Sequence, residues 1–232
     1  GDEVLIDQMV SVPGWPGCTS IVETPILPLP DRLSPVRMPA SPHHPTKTFL
    51  TQCCRVLISS QDDLNALDAK LGDGDTGSTL ASAATALVEA MDTLPLADHT
   101  QLFRAIGLEL SQTMGGSSGV LLSIFFAAAG DASSSGRSLR DALQEGLDRM
   151  REIGGANPGD RTMVDALQPA LDALKDGLKQ AALAARKGAD YTATLTTAKA
   201  GRATYLNAEQ LKGHVDPGAE AVARLFEAFA QG

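Results

Sequence analysis

Proline is spread very unevenly along this chain: nine of its thirteen prolines precede residue 46. Each proline fixes φ and removes a backbone donor, so residues 1–46 cannot form a helical core. They read as an extended, Pro-rich connector trailing from an earlier segment. From about Thr48 onward proline nearly vanishes and alanine and leucine dominate. Apolar residues there recur at three- and four-residue spacing, as in Phe103, Ile106 and Leu110, or Leu167, Leu171, Leu174 and Leu178. This pattern predicts helices near 47–67, 77–92, 98–114, 117–130, 137–153, 161–186, 190–199 and 217–230. Eight helices joined by short loops imply antiparallel neighbours. No repeat of 20–50 residues is visible, so residues 47–232 are expected to form one all-α bundle or barrel rather than a solenoid.

Composition narrows the possible functions. The 232 residues are 43% hydrophobic, enough apolar mass for a real core. A net charge of −9 argues against nucleic acid, whose phosphates need a basic footprint. The longest apolar run, GVLLSIFFAAAG, is far short of the roughly 20 residues of a membrane span and reads as a buried helix. Cys18, Cys53 and Cys54 offer neither a disulfide framework nor a metal-ligand spacing, so the expected compartment is the cytoplasm. With Gly1 first and no signal peptide, the chain reads as a fragment or a processed product.

The segment LGDGDTGST, residues 71–79, satisfies nucleotide-binding patterns on paper and fits none physically. Its G-x-G-x-x-G follows the helical DDLNALDAK instead of a β-strand. As a Walker A loop it lacks the lysine. As an EF-hand starting at Asp73 it puts Gly77 and Ala84 where oxygen ligands belong. What remains is a turn of small residues holding Asp73 and Asp75, with Asp68 at a helix end just before. Three carboxylates gathered so closely repel one another unless a cation sits among them.

Four helix junctions share a glycine-rich composition: LGDGDTGST, MGGSSGV, GGANPGDRTM and GHVDPGA. One such junction is an ordinary cap and turn. Four of them, each opening a helix with Gly, Ser, Thr or Asp, place free N–H groups and positive helix ends where an anion can be held. Gly115, Gly116, Ser117 and Ser118 can wrap one phosphate, and Thr76, Gly77, Ser78 and Thr79 open the helix after the Asp loop. Metal at the aspartates would then neutralise the phosphates in place of a P-loop lysine.

These motifs, LDAKLGDGDTGST, GGSSG, GANPGDRTMVDAL, GRATYL and GHVDPGA in this order, resemble the ATP-binding L domain of dihydroxyacetone kinases over residues 48–230. The resemblance implies a barrel of eight antiparallel helices with the nucleotide site at one end. It implies two Mg²⁺ ions held by Asp68, Asp73 and Asp75. It also implies ATP or ADP contacts from Thr76, Gly77, Ser78, Thr79, Ser117, Ser118, Gly154, Met163, Arg202 and the turn Asp216, Pro217, Gly218. The stretch SVPGWPG, residues 11–17, resembles the end of the substrate-binding K domain of single-chain members, where a histidine holds the ketone as a hemiaminal. His43, His44, His99 and His214 read instead as solvated or structural, so acceptor activation is expected on the K domain and no catalytic base is assigned here.

Taken singly, several of these residues have plainer readings. Arg202 can be a surface group, Met163 a core gap-filler, Asp160 and Arg161 helix caps, and Lys187 with the Lys and Arg of the last helices a solvated face. The leading reading is an ATP-dependent kinase domain for dihydroxyacetone or a related triose, homodimeric in the full-length protein. The alternatives are a phosphotransferase-system subunit holding ADP as a cofactor, an FMN cyclase acting on FAD at the same Mg²⁺ site, and a non-catalytic nucleotide- or Ca²⁺-binding module.

Overall fold

The computed structural model describes residues 38–231; the expected connector up to residue 37, with SVPGWPG and Cys18, lies outside the described residues. Ten α-helices follow: α1 His44–Ser59, α2 Gln61–Asp68, α3 Thr76–Ala90, α4 His99–Thr113, α5 Gly116–Ser134, α6 Leu139–Gly154, α7 Val164–Ala173, α8 Leu178–Thr192, α9 Ala208–Leu211 and α10 Pro217–Phe229. The helix expected over 47–67 begins earlier, with Pro45 in its first turn where the missing N–H is harmless. It also breaks at Ser60, and Asp62 and Asp63 favour the new N-terminus of α2. The helix expected over 161–186 starts only at Val164 and is interrupted at Gly177, whose φ of 100° and ψ of 164° suit glycine alone. The helix expected over 190–199 does not form: α8 runs on to Thr192 and residues 195–200 are non-helical. A short helix that the periodicity did not show, α9, is set by an Asn207–Gln210 capping box.

Eight of these helices pack as a closed circuit in the order α1, α3, α4, α5, α6, α7, α8, α10 and back to α1. Side-chain pairs show that neighbours run antiparallel. Arg104 near the start of α4 meets Asp131 near the end of α5, Arg140 at the start of α6 reaches the Leu171 carbonyl near the end of α7, and Asp216 before α10 meets Thr192 at the end of α8. Phe49 of α1 and Phe229 of α10 close the ring with centroids 4.6 Å apart. The ring has the expected eight members but not the expected set, since 161–186 supplies two of them and 190–199 none, while α2 and α9 are additions to it.

The interior has two apolar clusters. One joins α5 to α8 and α10 through Phe125, Leu147, Leu171, Ala181, Ala185 and Phe226, and the other joins α3 and α4 through Ala83, Met91, Leu102, Ile106 and Leu110. Alanine at so many buried positions lets the helix backbones approach closely, so the ring is held by many small contacts. Among the described residues no helix is long and apolar enough to cross a membrane.

Candidate functional site

An antiparallel ring sends alternate junctions to opposite ends. The α2–α3, α4–α5, α6–α7 and α8–α10 junctions share one end, and these are the four glycine-rich segments. The opposite end carries the α3–α4, α5–α6 and α7–α8 connections.

At the first junction α2 ends on Asp68, only 7% exposed, whose Oδ2 accepts the N–H groups of Asp75 at 3.0 Å and Thr76 at 3.1 Å. This fixes one carboxylate oxygen of Asp68 against the start of α3. Asp73 and Asp75 are exposed, and the three residues offer carboxylate oxygens within 4.8 Å of one another. Desolvation first, then the adjacent Asp73 and Asp68 charges, hold the Asp75 carboxyl above its ordinary value, with Arg202 opposing. Arg202 Nη1 lies 2.7 Å from Asp73 Oδ2, so a residue far along the chain reaches this loop. An all-oxygen, all-carboxylate donor set suits a hard divalent cation such as Mg²⁺.

The first turn of α3 is fixed against α2. A Cβ on Gly77 would lie 2.0 Å from the Gln61 carbonyl, so only glycine fits. Asn65 accepts the Ser78 N–H at 3.0 Å and donates to Ser78 Oγ at 2.8 Å. Ser78 is therefore tied down by a residue that the motif reading missed, yet its hydroxyl accepts in that bond and keeps its own proton to donate. Thr76 and Thr79 flank it, both half-buried.

The second junction is the least occupied. Gly115 gives α5 no side-chain cap, Gly116 has φ of 70°, and Ser117 and Ser118 are exposed with no acidic residue in the first turn. The free N–H groups of this helix end face solvent, as an anion site requires.

The third and fourth junctions interlock. Gly154 closes α6 against Leu121 of α5. Asp160 and Arg161 do not cap a helix, contrary to the plainer sequence reading, because α7 begins three residues later. Asp160 accepts the Asn157 N–H at 2.8 Å and pairs with Lys199 at 3.0 Å. Burial pushes its carboxyl up, but these bonds outweigh it and hold it below its ordinary value. Arg161, 1% exposed, donates to the carbonyls of Thr192, Leu211 and His214. Asp165, a second residue missed from sequence, folds the loop by accepting Gly159 N–H at 2.5 Å and Thr162 N–H at 2.8 Å. Met163, half-buried beside the core, adjoins Gly218, whose Cβ position lies 3.3 Å from Met163 Cβ. Asp216 caps α10 through the Ala219 N–H at 2.8 Å, and Pro217 is buried. Burial raises the Asp216 carboxyl to about 6 against the pull of the Ala219 N–H and Arg161, with Asp165 adding to the rise.

Contacts thus join Asp73 to Arg202 and Met163 to Gly218, while Ser117, Ser118 and Gly154 line the same end from α5 and α6. The Arg residues read as a solvated face are not all so: Arg186 and Arg224 converge on buried Glu220, a network signalled only by the i,i+4 spacing of Glu220 and Arg224.

The family of the DAK2 domain matches residues 70–231. A dihydroxyacetone kinase of Citrobacter freundii is 51% identical over 180 residues, which are 75% of this chain and 33% of that protein. The human triokinase/FMN cyclase is 34% identical over 195 residues, 78% of this chain and 34% of its own length. A crystal structure of the dihydroxyacetone kinase from C. freundii in complex with AMP-PNP and Mg²⁺ superposes with a TM-score of 0.76 at 40% identity, covering 88% of this chain and 37% of that one. The chain spans about a third of the length of these relatives. With the ordered motifs, the all-helical ring and these likenesses together, the chain belongs to the DAK2 domain family and fits the L domain of dihydroxyacetone kinases.

Proposed function

We propose that this chain is the ATP- and Mg²⁺-binding domain of a cytoplasmic dihydroxyacetone kinase, presenting the γ-phosphoryl of ATP to a hydroxyl of a short ketose or aldose held by a separate K domain. The observation that carries this reading is the gathering of three carboxylates, an uncapped helix end and Arg202 at one end of the ring. The C. freundii relative whose structure holds AMP-PNP and Mg²⁺ supports the same ligand pair. Asp68, Asp73 and Asp75 would hold the metal, with room in the reading for two ions. Bound there, Mg²⁺ supplies charge neutralisation to the phosphates.

The remaining work falls to the chain's own groups. Asp68 is held rigid by two N–H donors, so its free oxygen is pre-aimed. Ser78 Oγ–H and the N–H groups of Ser117 and Ser118 donate to phosphate oxygens. Arg202 stands at the metal loop, ready to fork onto phosphate. Met163 adjoins Gly218 and would offer its apolar side chain to a nucleobase. Such a site catalyses by positioning and electrostatics, leaving activation of the acceptor alcohol to the K domain of a homodimeric full-length protein.

Calorimetric titration with ATP tests this directly: binding is expected with Mg²⁺ and little in EDTA, and equal affinity in both overturns the metal bridge. The isolated chain should release almost no ADP with dihydroxyacetone until a separately expressed K domain is added. Equal turnover without that domain overturns the division of labour.

A further inference from the structure

Arg161 is the only non-glycine residue at positive φ among the described residues, with φ of 65°. Glycine would adopt this backbone freely, whereas arginine does so against steric resistance, so the position is defined by its side chain. That side chain is 1% exposed, and its hydrogen bonds among the described residues all go to backbone carbonyls outside the Asp loop. Its Nε donates to the Thr192 carbonyl at 3.3 Å, and its Nη2 donates to the Leu211 carbonyl at 3.2 Å and to the His214 carbonyl. Thr192 ends α8, while Leu211 and His214 lie just before α10, so one guanidinium joins the two ends of the excursion 193–215. The Gly213 N–H to the Ala193 carbonyl, at 2.8 Å, closes the same base. Midway along, Lys199 binds Asp160, the residue next to Arg161, through both its backbone N–H and its ammonium. Three residues further on, Arg202 meets Asp73.

We propose that Arg161 is a positioning residue that pins the base of the 193–215 excursion and thereby sets where Arg202 stands over the metal loop. This rests on the nucleotide-binding reading above for its effect on ligand, but not for its effect on the loop. The guanidinium spans three carbonyls with Nε and Nη2, while its buried Nη1 has no hydrogen-bond partner among the described residues; a lysine ammonium at the same place satisfies fewer of those carbonyls.

The test is a cycle of Arg161→Gly, Arg161→Lys and Arg202→Ala, singly and combined, read by hydrogen exchange and by Mg²⁺-ATP titration. Arg161→Gly should speed exchange across 195–213 while α4 to α6 stay protected, and should weaken Mg²⁺-ATP binding about tenfold. Arg161→Lys should fall between it and the parent chain. In the Arg202→Ala background Arg161→Gly should cost no further affinity, because its effect runs through Arg202. Unchanged exchange across 195–213, or the same loss of affinity with and without Arg202, overturns the proposal. Failure of the parent chain to bind Mg²⁺-ATP would sink the kinase-domain reading instead, while the exchange data still decide this one. If Arg161→Gly does not fold, Arg161→Lys enters the same cycle with the same two outcomes.

Discussion

Two charged clusters in this ring behave in opposite ways. On the flank of α8 and α10, Arg186 pairs with Glu220 and with Glu227 at 2.7 Å, and Arg224 pairs with Glu220 at 2.8 Å and Asp63 at 2.9 Å. Burial pushes the Glu220 carboxyl up, but the two guanidiniums outweigh it and hold it below its ordinary value, while Glu227 and Glu220 raise Arg186. At the ring's end, Asp68, Asp73 and Asp75 have, among the described residues, a single ion pair, from Arg202 to Asp73, and Asp75 is pushed up. The first cluster is complete within the fold and ties helices together. The second carries an excess of negative charge, so the fold holds it in place without satisfying it. Local charge balance thus separates a brace from a candidate cation site.

The comparison breaks most sharply at the unbalanced cluster. Asp73→Asn combined with Asp75→Asn should weaken Mg²⁺-ATP binding by about a hundredfold or more, since two charged oxygen ligands are lost. The melting temperature in EDTA should stay level or rise as crowding is relieved; a large fall there would make the aspartates structural. At the balanced cluster the pattern should invert. Glu220→Gln leaves two half-buried guanidiniums facing a neutral amide and should cost about 2 kcal/mol in urea unfolding, with Mg²⁺-ATP affinity within about twofold.

Asp216 offers a smaller, pH-dependent test. Its folded-state carboxyl titrates at about 6 against an ordinary 3.8, so the native chain holds this proton more tightly. The stability it contributes is full below 3.8 and is lost as pH rises through 6. Glu220 and Asp160, both held low, act with the opposite sign, contributing above their ordinary values and losing that contribution in acid. Asp216→Asn should therefore remove a downward slope of about 1 kcal/mol between pH 4.5 and 6. An unchanged slope would assign it to another group. The smallest effect is reserved for Arg202→Ala, which breaks a largely exposed pair and should shift stability by under about 0.5 kcal/mol while weakening nucleotide binding.

Much of this was legible in the residues. Apolar spacing and the loss of proline after residue 46 gave the all-helical class, and the glycine-rich junctions fall together at one end of the ring. The boundaries failed where the cause was not periodic. Gly177 breaks a run of leucines because of its backbone angles, and Ser60 splits a helix with neither glycine nor proline to announce it. The gathering of the three aspartates into one candidate site was readable because their side-chain type and spacing announce it. The rest was hidden where a side chain serves backbone. Asn65 on Ser78 and Arg161 on three carbonyls close contacts that only folding brings together, and Asp165 on Gly159 folds a loop with no periodic pattern to announce it.

The seam between α1 and α10, where Phe49 meets Phe229 and Gln52 donates to the Ala228 carbonyl, lies away from the four working loops. In a closed ring of antiparallel helices no member is obliged to come first. A permuted chain opened in the α5–α6 turn at 135–138 and spliced across that seam would trace the same circle, with every glycine-rich loop still on the same face. An odd number of helices inserted or deleted would not be tolerated in this way, because it would reverse the direction of all that follow and scatter the loops between two faces. The parity of the helix count, as much as any side chain, keeps the site in one piece.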